Sequence, residues 1–190
     1  METWSAAFSA NAEYTRRPNF LNIMKIYLAG SVPKGDEEKV DFKNWRNYYK
    51  KDLSKRIEAI FVDPSDRDPN FNESDFLAVF GYDCRNIKDS DLIIVNCENK
   101  IGVGTSQEMV IAKYFKKPVI TVLPKNSEHR KTNLVFRGKT IKDWIHPFIF
   151  AFSDVIVENV SEANNKLIEG IAPKDITAID DSIKYFNNLP

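Results

Sequence analysis

Five short apolar runs, rich in β-branched residues, are the feature that most constrains the fold of this 190-residue chain. None of them alternates between apolar and polar residues, as a strand with one solvent-exposed face would. Continuous apolar strands are typical of parallel sheets that helices cover on both faces. The sequence therefore predicts parallel strands over residues 25–29, 59–62, 92–96, 118–123 and 154–157.

Helical periodicity between these strands predicts helices over residues 41–57, 78–88, 105–116 and 141–150. Two more helices, over residues 161–169 and 174–186, are predicted after the last strand. Alternation of strands and helices favours right-handed βαβ crossovers. We predict one α/β domain over residues 23–190, a doubly wound open sheet of about five parallel strands, flavodoxin-like or Rossmann-like, with helices on both faces. Residues 1–22 are predicted to form a flexible N-terminal tail.

The balance of charges narrows the class of partner. Lys+Arg and Asp+Glu both number 27, so the formal net charge is zero. Proteins that bind nucleic acid usually carry a basic surplus, and no apolar run reaches the roughly 20 residues that span a bilayer. Two cysteines are too few for a secreted disulfide scaffold, which favours a reducing compartment. We therefore predict a cytoplasmic protein whose partners are small molecules or other proteins, not a nucleic acid polymer or a membrane.

Open α/β sheets bind ligands beyond the carboxyl ends of their strands, so the loops there form the candidate site. The first loop contains Gly30, Ser31 and Lys34, which offer backbone N–H groups, a hydroxyl and a cation to a phosphate. It lacks the Gly-Lys-Ser/Thr ending of a P-loop and the pattern GxGxxG. A tight strand-to-helix turn with a solvated Lys34 explains the same residues. The second loop, 63–75, and the fourth, 124–139, are long for this fold class, and long loops are often functional.

The segment 102–108 follows the third strand and opens a helix, whose free N–H groups favour a negative charge nearby. A carboxylate in this first turn, Glu108, suits a nucleophile or a general base. The alternative interpretation is a capping box, with Thr105 as the N-cap residue and Glu108 reaching back to its N–H group.

The remaining polar residues allow more than one interpretation. Asp83 lies shortly before the third strand, and its spacing alone assigns it no role. His146 suits a general acid, but a histidine before proline in an aromatic stretch is more often structural. His129 lies in a polar loop and is predicted to be exposed to solvent. Two histidines and two cysteines this far apart predict no metal site.

By their order and spacing, these segments resemble the nucleoside 2-deoxyribosyltransferase family and its nucleotide N-glycosidase relatives. The matching segments are KIYLAGS (25–31), WRNYYKKDL (45–53), VDP (62–64), YDCRNIKDSDLIIVN (82–96) and GVGTSQEMVIAKYFKKPVITVLP (102–124). The resemblance implies an enzyme whose glutamate attacks the anomeric carbon, expels the base and forms a covalent glycosyl-enzyme, which a second base or water then cleaves. Such chemistry needs no metal or organic cofactor.

The resemblance also implies roles for individual residues. Glu108 matches the nucleophile, Tyr27 matches a first-strand tyrosine that hydrogen-bonds it, and Asp83 matches an aspartate near the nucleophile and the sugar. Several transferases have an aspartate that contacts the leaving base where this chain has Gly102, and a base site relaxed in this way would favour hydrolysis. The nearest replacements are Asn96, Glu98 and Asn99. The residues expected to bind substrate are Gly30, Ser31, Asn96, Gly102, Gly104 and Ser106.

Two other functions fit the same residues. One is a nucleoside 5′-monophosphate N-glycosidase, in which Ser31, Lys34, Ser106 and Arg130 donate hydrogen bonds to the phosphate. The other is a non-catalytic nucleotide-binding or sensor module, which the departure at Gly102 keeps open. Only the enzymes release the base, so product analysis separates the two classes.

The resemblance finally implies a homodimer or a higher homo-oligomer, in which a neighbouring subunit completes the pocket. Asn133 and His146 are the candidates for the residues donated in this way. The aromatic-rich stretch at residues 144–152 predicts either a subunit interface or ordinary core.

Overall fold

The structure, a computed structural model, describes residues 23–189 except residues 36, 39–41 and 43. The predicted tail, residues 1–22, lies outside the described residues. In chain order the strands and helices are β1 (Met24–Ala29), α1 (Trp45–Leu53), β2 (Ala59–Val62), α2 (Phe76–Asp89), β3 (Leu92–Asn96), α3 (Val103–Tyr114), β4 (Val119–Val122), β5 (Arg130–Phe136), β6 (Lys139–Ile145), α4 (Pro147–Phe152), β7 (Val155–Val157), α5 (Val160–Glu169) and α6 (Ala178–Asn187).

Five of these strands form one sheet in the order β2-β1-β3-β4-β7, and every neighbouring pair is parallel. The prediction of five parallel strands in a doubly wound sheet is confirmed, and the order is the flavodoxin-like one. The strand order reverses between β1 and β3. The crevice beyond the carboxyl ends of these two strands is where such folds bind ligands.

Helices cover both faces of the sheet because successive residues of a strand point to opposite sides. Ile26 and Leu28 of β1 lie in a core cluster with residues of α1 and α5. Tyr27 and Ala29 lie in the cluster on the other face, with residues of α2, α3 and α4. This alternation places the side chain of Tyr27 on the face that α3 covers.

One predicted helix, at residues 141–150, is wrong. The structure has β6 and the short helix α4 there, and β5 occupies part of the predicted loop at residues 124–139. The two strands form an antiparallel hairpin whose turn residues, Arg137 and Gly138, have φ angles of 51° and 75°. Positive φ at both positions is the type I′ geometry that suits the twist of a hairpin. The apolar residues Ile141, Trp144 and Ile145 have helical spacing, which explains the error.

The other predicted helices are present, with ends that shift by a few residues. Helix α1 occupies residues 45–53 of the predicted segment 41–57, part of which lies outside the described residues. Helix α6 begins at Ala178 instead of residue 174. None of the helices in the described part of the chain has the length and apolar character needed to cross a membrane.

Candidate active site

Tyr27 and Glu108 form the central polar contact of the candidate site. The Tyr27 hydroxyl donates a hydrogen bond of 2.6 Å to Oε1 of Glu108. Strand β1 supplies the tyrosine and helix α3 supplies the glutamate, so the contact joins the sheet to the layer that covers it. Because Tyr27 is fully buried, bulk water does not compete for this hydrogen bond.

The second carboxylate oxygen of Glu108, Oε2, is buried and has no hydrogen-bond partner among the described residues. Burial raises the pKa of Glu108 to about 7, against the hydrogen bond from Tyr27, and the negative charge of Asp83 adds to the rise. Both the protonated and the ionised form of Glu108 are therefore populated near neutral pH. Such a group suits nucleophilic attack or proton transfer.

The predicted capping box is wrong. Helix α3 begins at Val103, its N-cap residue is Gly102, and no side chain caps it. Thr105 is a buried residue of the first turn, because the backbone hydrogen bond from Ser106 N to the Gly102 carbonyl (3.3 Å) starts the helix earlier. The carboxylate of Glu108 instead accepts the hydrogen bond of the buried Tyr27 hydroxyl, which would otherwise lack a partner.

Asp83 reaches the site from α2, where Arg67 holds it. Nη2 of Arg67 donates to both carboxylate oxygens of Asp83, at 3.2 and 3.3 Å. Burial raises the pKa of Asp83, and the charge of Arg67 opposes that rise. Asp83 is also close enough to Glu108 for its charge to raise the pKa of Glu108. The structure thus brings together the three residues predicted as catalytic.

Arg46 fixes the backbone of the turn that follows β1. Its guanidinium group is fully buried, and Nε lies 3.3 Å from the carboxylate of Asp63. The same group donates hydrogen bonds to three carbonyl groups at the end of β1, those of Leu28 (3.0 Å), Gly30 (2.9 Å) and Ser31 (3.1 Å). A buried arginine with this many acceptors holds the mouth of the crevice in one conformation.

Gly30 is required by a close approach. A Cβ atom at this position would lie 2.5 Å from the indole ring of Trp45, far inside van der Waals contact. The Ser31 side chain points into an exposed region, and its carbonyl also accepts from the Trp45 indole at 3.3 Å. These contacts favour the interpretation of the segment as a tight turn, which leaves the Ser31 hydroxyl at the rim of the crevice.

The other residues predicted to bind substrate lie around this rim. Asn96 ends β3, is almost buried, and accepts a hydrogen bond of 2.9 Å from the N–H group of Glu98. Gly102, Gly104 and Ser106 lie in the exposed first turns of α3, and open space surrounds both glycines. Among the described residues, none of the three has a side-chain hydrogen bond to Glu108, and their role in substrate binding stays a prediction.

His129 is half-buried, which corrects the prediction that it is exposed. Its Nε2 accepts a hydrogen bond of 3.1 Å from the N–H group of Ile101, in the loop that leads into α3. The ring of His146 lies 5.8 Å from that of His129, and Nδ1 of His146 is buried without a partner among the described residues. The described residues contain no cluster of three metal-ligating side chains.

Sequence reasoning missed Arg46 and Arg67. Arg46 lies within the segment 45–53, which carried the family resemblance without a role for the arginine. Arg67 is the single basic residue in the loop 63–75, which contains five acidic residues. One cation among so many carboxylates was a signal that this loop is organised around an arginine.

No family model and no curated protein matches this sequence. Solved structures do match. A conserved protein from Enterococcus faecalis V583 superposes with a TM-score of 0.59 at 14% identity, covering 78% of this chain and 99% of that chain.

Two 2-deoxyribosyltransferases match as well. The enzyme from Leishmania mexicana gives a TM-score of 0.52 at 15% identity, over 77% of this chain and 97% of that chain. The enzyme from Bacillus psychrosaccharolyticus gives a TM-score of 0.50 at 20% identity, over 78% of this chain and 98% of that chain. The chain therefore has the doubly wound fold of the 2-deoxyribosyltransferases, the proteins that its sequence motifs resemble.

Proposed function

We propose that this protein belongs to the nucleoside 2-deoxyribosyltransferase family and cleaves the N-glycosidic bond of a nucleoside or deoxynucleoside. The observation that carries the proposal is the Tyr27–Glu108 pair. A buried carboxylate keeps one oxygen bonded to Tyr27 and the other free, beside the crevice where this fold binds ligands. The motifs around both residues and the fold of the transferases point the same way.

In the proposed reaction, the free oxygen of ionised Glu108 attacks the anomeric carbon of the sugar. A bond forms between this oxygen and the carbon, the bond from the carbon to the base breaks, and its electron pair leaves with the base. A second base or a water molecule then attacks the same carbon and releases Glu108. In this proposal Tyr27 orients the nucleophile through Oε1, and Asp83 binds the sugar.

The choice between transfer and hydrolysis depends on the base site. Gly102 is exposed, and open space surrounds the position where a side chain would begin. Several transferases have an aspartate here that contacts the leaving base. In this chain Gly102 leaves that space open. We propose that water enters this gap readily and that hydrolysis accompanies or exceeds transfer.

The experiment is incubation of the purified protein with a panel of nucleosides, deoxynucleosides and their 5′-monophosphates, with and without a free acceptor base. Chromatography measures release and exchange of bases. The Glu108→Gln variant should lose at least about 1,000-fold in rate, as expected for removal of a nucleophile. Glu169→Gln, an exposed glutamate of α5, is the matched control and should retain full activity. Base release that survives in Glu108→Gln would contradict the mechanism.

The same panel tests the alternative functions. Preference for monophosphates would favour the N-glycosidase alternative, although Arg130 is a poor phosphate ligand because it donates to Asp143 twice at 2.8 Å. Nucleotide binding without any base release, unchanged in Glu108→Gln, would favour the sensor module and overturn the proposed activity.

We further propose a homo-oligomer in which the β5–β6 hairpin of one subunit packs near the crevice of another. The hairpin, residues 130–145, carries five basic residues and one acidic residue, whereas the loop 63–75 exposes four acidic residues and contains one basic residue. Both surfaces also expose large apolar side chains. On the hairpin these are Val135 and Phe136, and at the start of α2 they are Phe76, Leu77 and Phe80. Opposite charge and exposed apolar surface together support contact between the two.

The aromatic stretch at residues 144–152 contains both core side chains and exposed ones. Ile149 and Phe152 are buried in the core, whereas Phe148 and Phe150 are 72% and 54% exposed. Sedimentation velocity tests the oligomer: Phe136→Asp should release monomers, and Phe186→Asp, at an equally exposed apolar residue of α6, should not. If Phe136→Asp sediments as the wild type does, the hairpin is not the interface.

A further inference from the structure

Arg67 is the centre of a contact network that no motif of the sequence indicates. Its side chain is 16% exposed, and its guanidinium group contacts two carboxylates at once. Nη1 donates to Glu73 at 2.9 and 3.2 Å, and Nη2 donates to Asp83 at 3.2 and 3.3 Å. One carboxylate belongs to the loop 63–75 and the other to α2, so Arg67 joins the loop to the helix.

Two aromatic rings pack around the same guanidinium group. Its carbon lies 5.6 Å from the centre of the Phe71 ring and 5.4 Å from that of Tyr82. The two rings are 5.5 Å apart, and the Tyr82 hydroxyl donates a hydrogen bond of 3.3 Å to the carbonyl of Asp66. The two aromatic rings and the two carboxylates together fix the orientation of the guanidinium group. A lysine cannot make the same contacts, because its ammonium group is not planar.

We infer that Arg67 is a positioning residue: it fixes the carboxylate of Asp83 from α2 through two hydrogen bonds, and it anchors the loop 63–75 against that helix. This inference deepens the proposed function and rests on it for its effect on catalysis. The charged groups that act on Asp83 come from the surrounding elements. They are Arg67 and Glu73 of the loop, Arg46 of α1, Glu108 of α3 and, through Glu108, Tyr27 of β1.

The network affects the pKa values of both carboxylates in the site, Asp83 and Glu108. Arg67 is the largest influence that opposes the effect of burial on Asp83. It also lowers the pKa of Glu108, though less than the hydrogen bond from Tyr27 does. Loss of the Arg67 charge therefore favours protonation of Asp83, and the pH range in which both carboxylates are ionised moves upward.

The first test follows the carboxyl carbons of Asp83 and Glu108 by NMR during a pH titration of the substrate-free protein. Arg67→Gln should raise the pH at which Asp83 titrates, and Arg67→Lys should restore it in part, since the charge returns without the two-sided contact. Glu73→Gln weakens only the contact of Arg67 with the loop, so Asp83 should titrate at a lower pH in this variant than in Arg67→Gln. An unchanged titration in Arg67→Gln overturns the inference.

The second test is the rate of base release. Arg67→Gln should lower kcat by about 10- to 100-fold, as expected for a misplaced group, with a smaller change in KM, and should move the acid limb of the pH profile upward. The two tests separate the two proposals. A shifted titration without base release in the wild type leaves the role of Arg67 standing and removes the glycosidase activity, whereas an altered kcat with an unchanged titration and pH profile removes the role of Arg67.

Discussion

Two buried carboxylates lie at opposite halves of helix α3, and they differ in how many partners they have. In the C-terminal half, Lys113 pairs with Asp154, and both side chains are almost inaccessible to solvent. Asp154 also accepts hydrogen bonds from the N–H groups of Val119 (2.7 Å) and Lys174 (2.6 Å). In the N-terminal half, Glu108 has one hydrogen bond, and its second oxygen has no partner among the described residues.

This difference separates a structural carboxylate from a reactive one. The charge of Asp154 is compensated by a cation and by two donors, so its attraction for a further partner is low. Within the part of the chain that the structure describes, Oε2 of Glu108 is buried without a hydrogen-bond partner, which costs folding free energy and leaves that oxygen available to a further partner. Four variants test the comparison, and they follow from the largest expected effect to the smallest.

The largest effect is expected for Asp154→Asn, which leaves the buried Lys113 without its counter-charge. The free energy of unfolding should fall by about 3–5 kcal/mol, as for other broken buried pairs. Urea denaturation followed by circular dichroism measures it. Asp181→Asn, which removes an exposed partner of Lys184, is the control and should cost less than about 1 kcal/mol. A similar small loss for Asp154→Asn would mean that the buried pair is not structural.

The next effect concerns Glu108→Gln and is opposite in sign. The pKa of Glu108 in the folded protein, about 7, lies above that of an unfolded glutamate, about 4.3. The folded state therefore holds the proton more tightly, and this contribution to stability is present at low pH and is lost as the pH rises to about 7. At pH 8 the variant should be more stable than the wild type by up to about 4 kcal/mol, with no gain at pH 4. Urea denaturation at pH 4 and pH 8 measures the gain in the free energy of unfolding. An equal gain at both pH values would show that Glu108 does not titrate in this range.

Tyr27→Phe removes the hydrogen bond that orients Glu108. Base release at pH 7 should fall by about 10- to 100-fold, the equivalent of a hydrogen bond to a charged group. Because this bond lowers the pKa of Glu108, its loss should also move the acid limb of the pH profile upward. Tyr48→Phe, at an exposed tyrosine of α1, provides the comparison. An unchanged pH profile in Tyr27→Phe would show that the hydroxyl does not act on the nucleophile.

The smallest effect is expected at the loop that leads into α3. His129→Ala removes the acceptor for the N–H group of Ile101, and exchange of that amide hydrogen should accelerate by about fivefold, or about 1 kcal/mol. His129→Gln supplies an amide oxygen as a substitute acceptor and should exchange at a rate between the two. If exchange in His129→Ala matches the wild type, the hydrogen bond does not hold the loop.

The sheet was predictable because its strands are short, apolar and separated by helices, so each apolar run could be recognised as a strand. The hairpin was not, because its register depends on positive φ angles at Arg137 and Gly138, and the apolar residues of β6 happen to have helical spacing. Local turn geometry decided this region against periodicity.

The site divides in the same way. Glu108 and Tyr27 could be placed together because motifs fix their positions on α3 and β1, and the sheet brings those elements into contact. The network of Arg67 joins residues 67, 73 and 83 through a loop without regular structure. Contacts of this kind depend on the path of the loop, for which a single sequence has no periodic signal.

The contact between Gly30 and Trp45 also bears on how this protein can vary in evolution. A Cβ atom at position 30 would lie 2.5 Å from the indole ring, and the φ angle of 156° is one that residues other than glycine rarely adopt. Trp45 in turn donates to the Ser31 carbonyl, so its loss also loosens the turn at the crevice. Homologues that keep Trp45 should therefore keep Gly30, and the two residues together would identify members of the group at low overall identity.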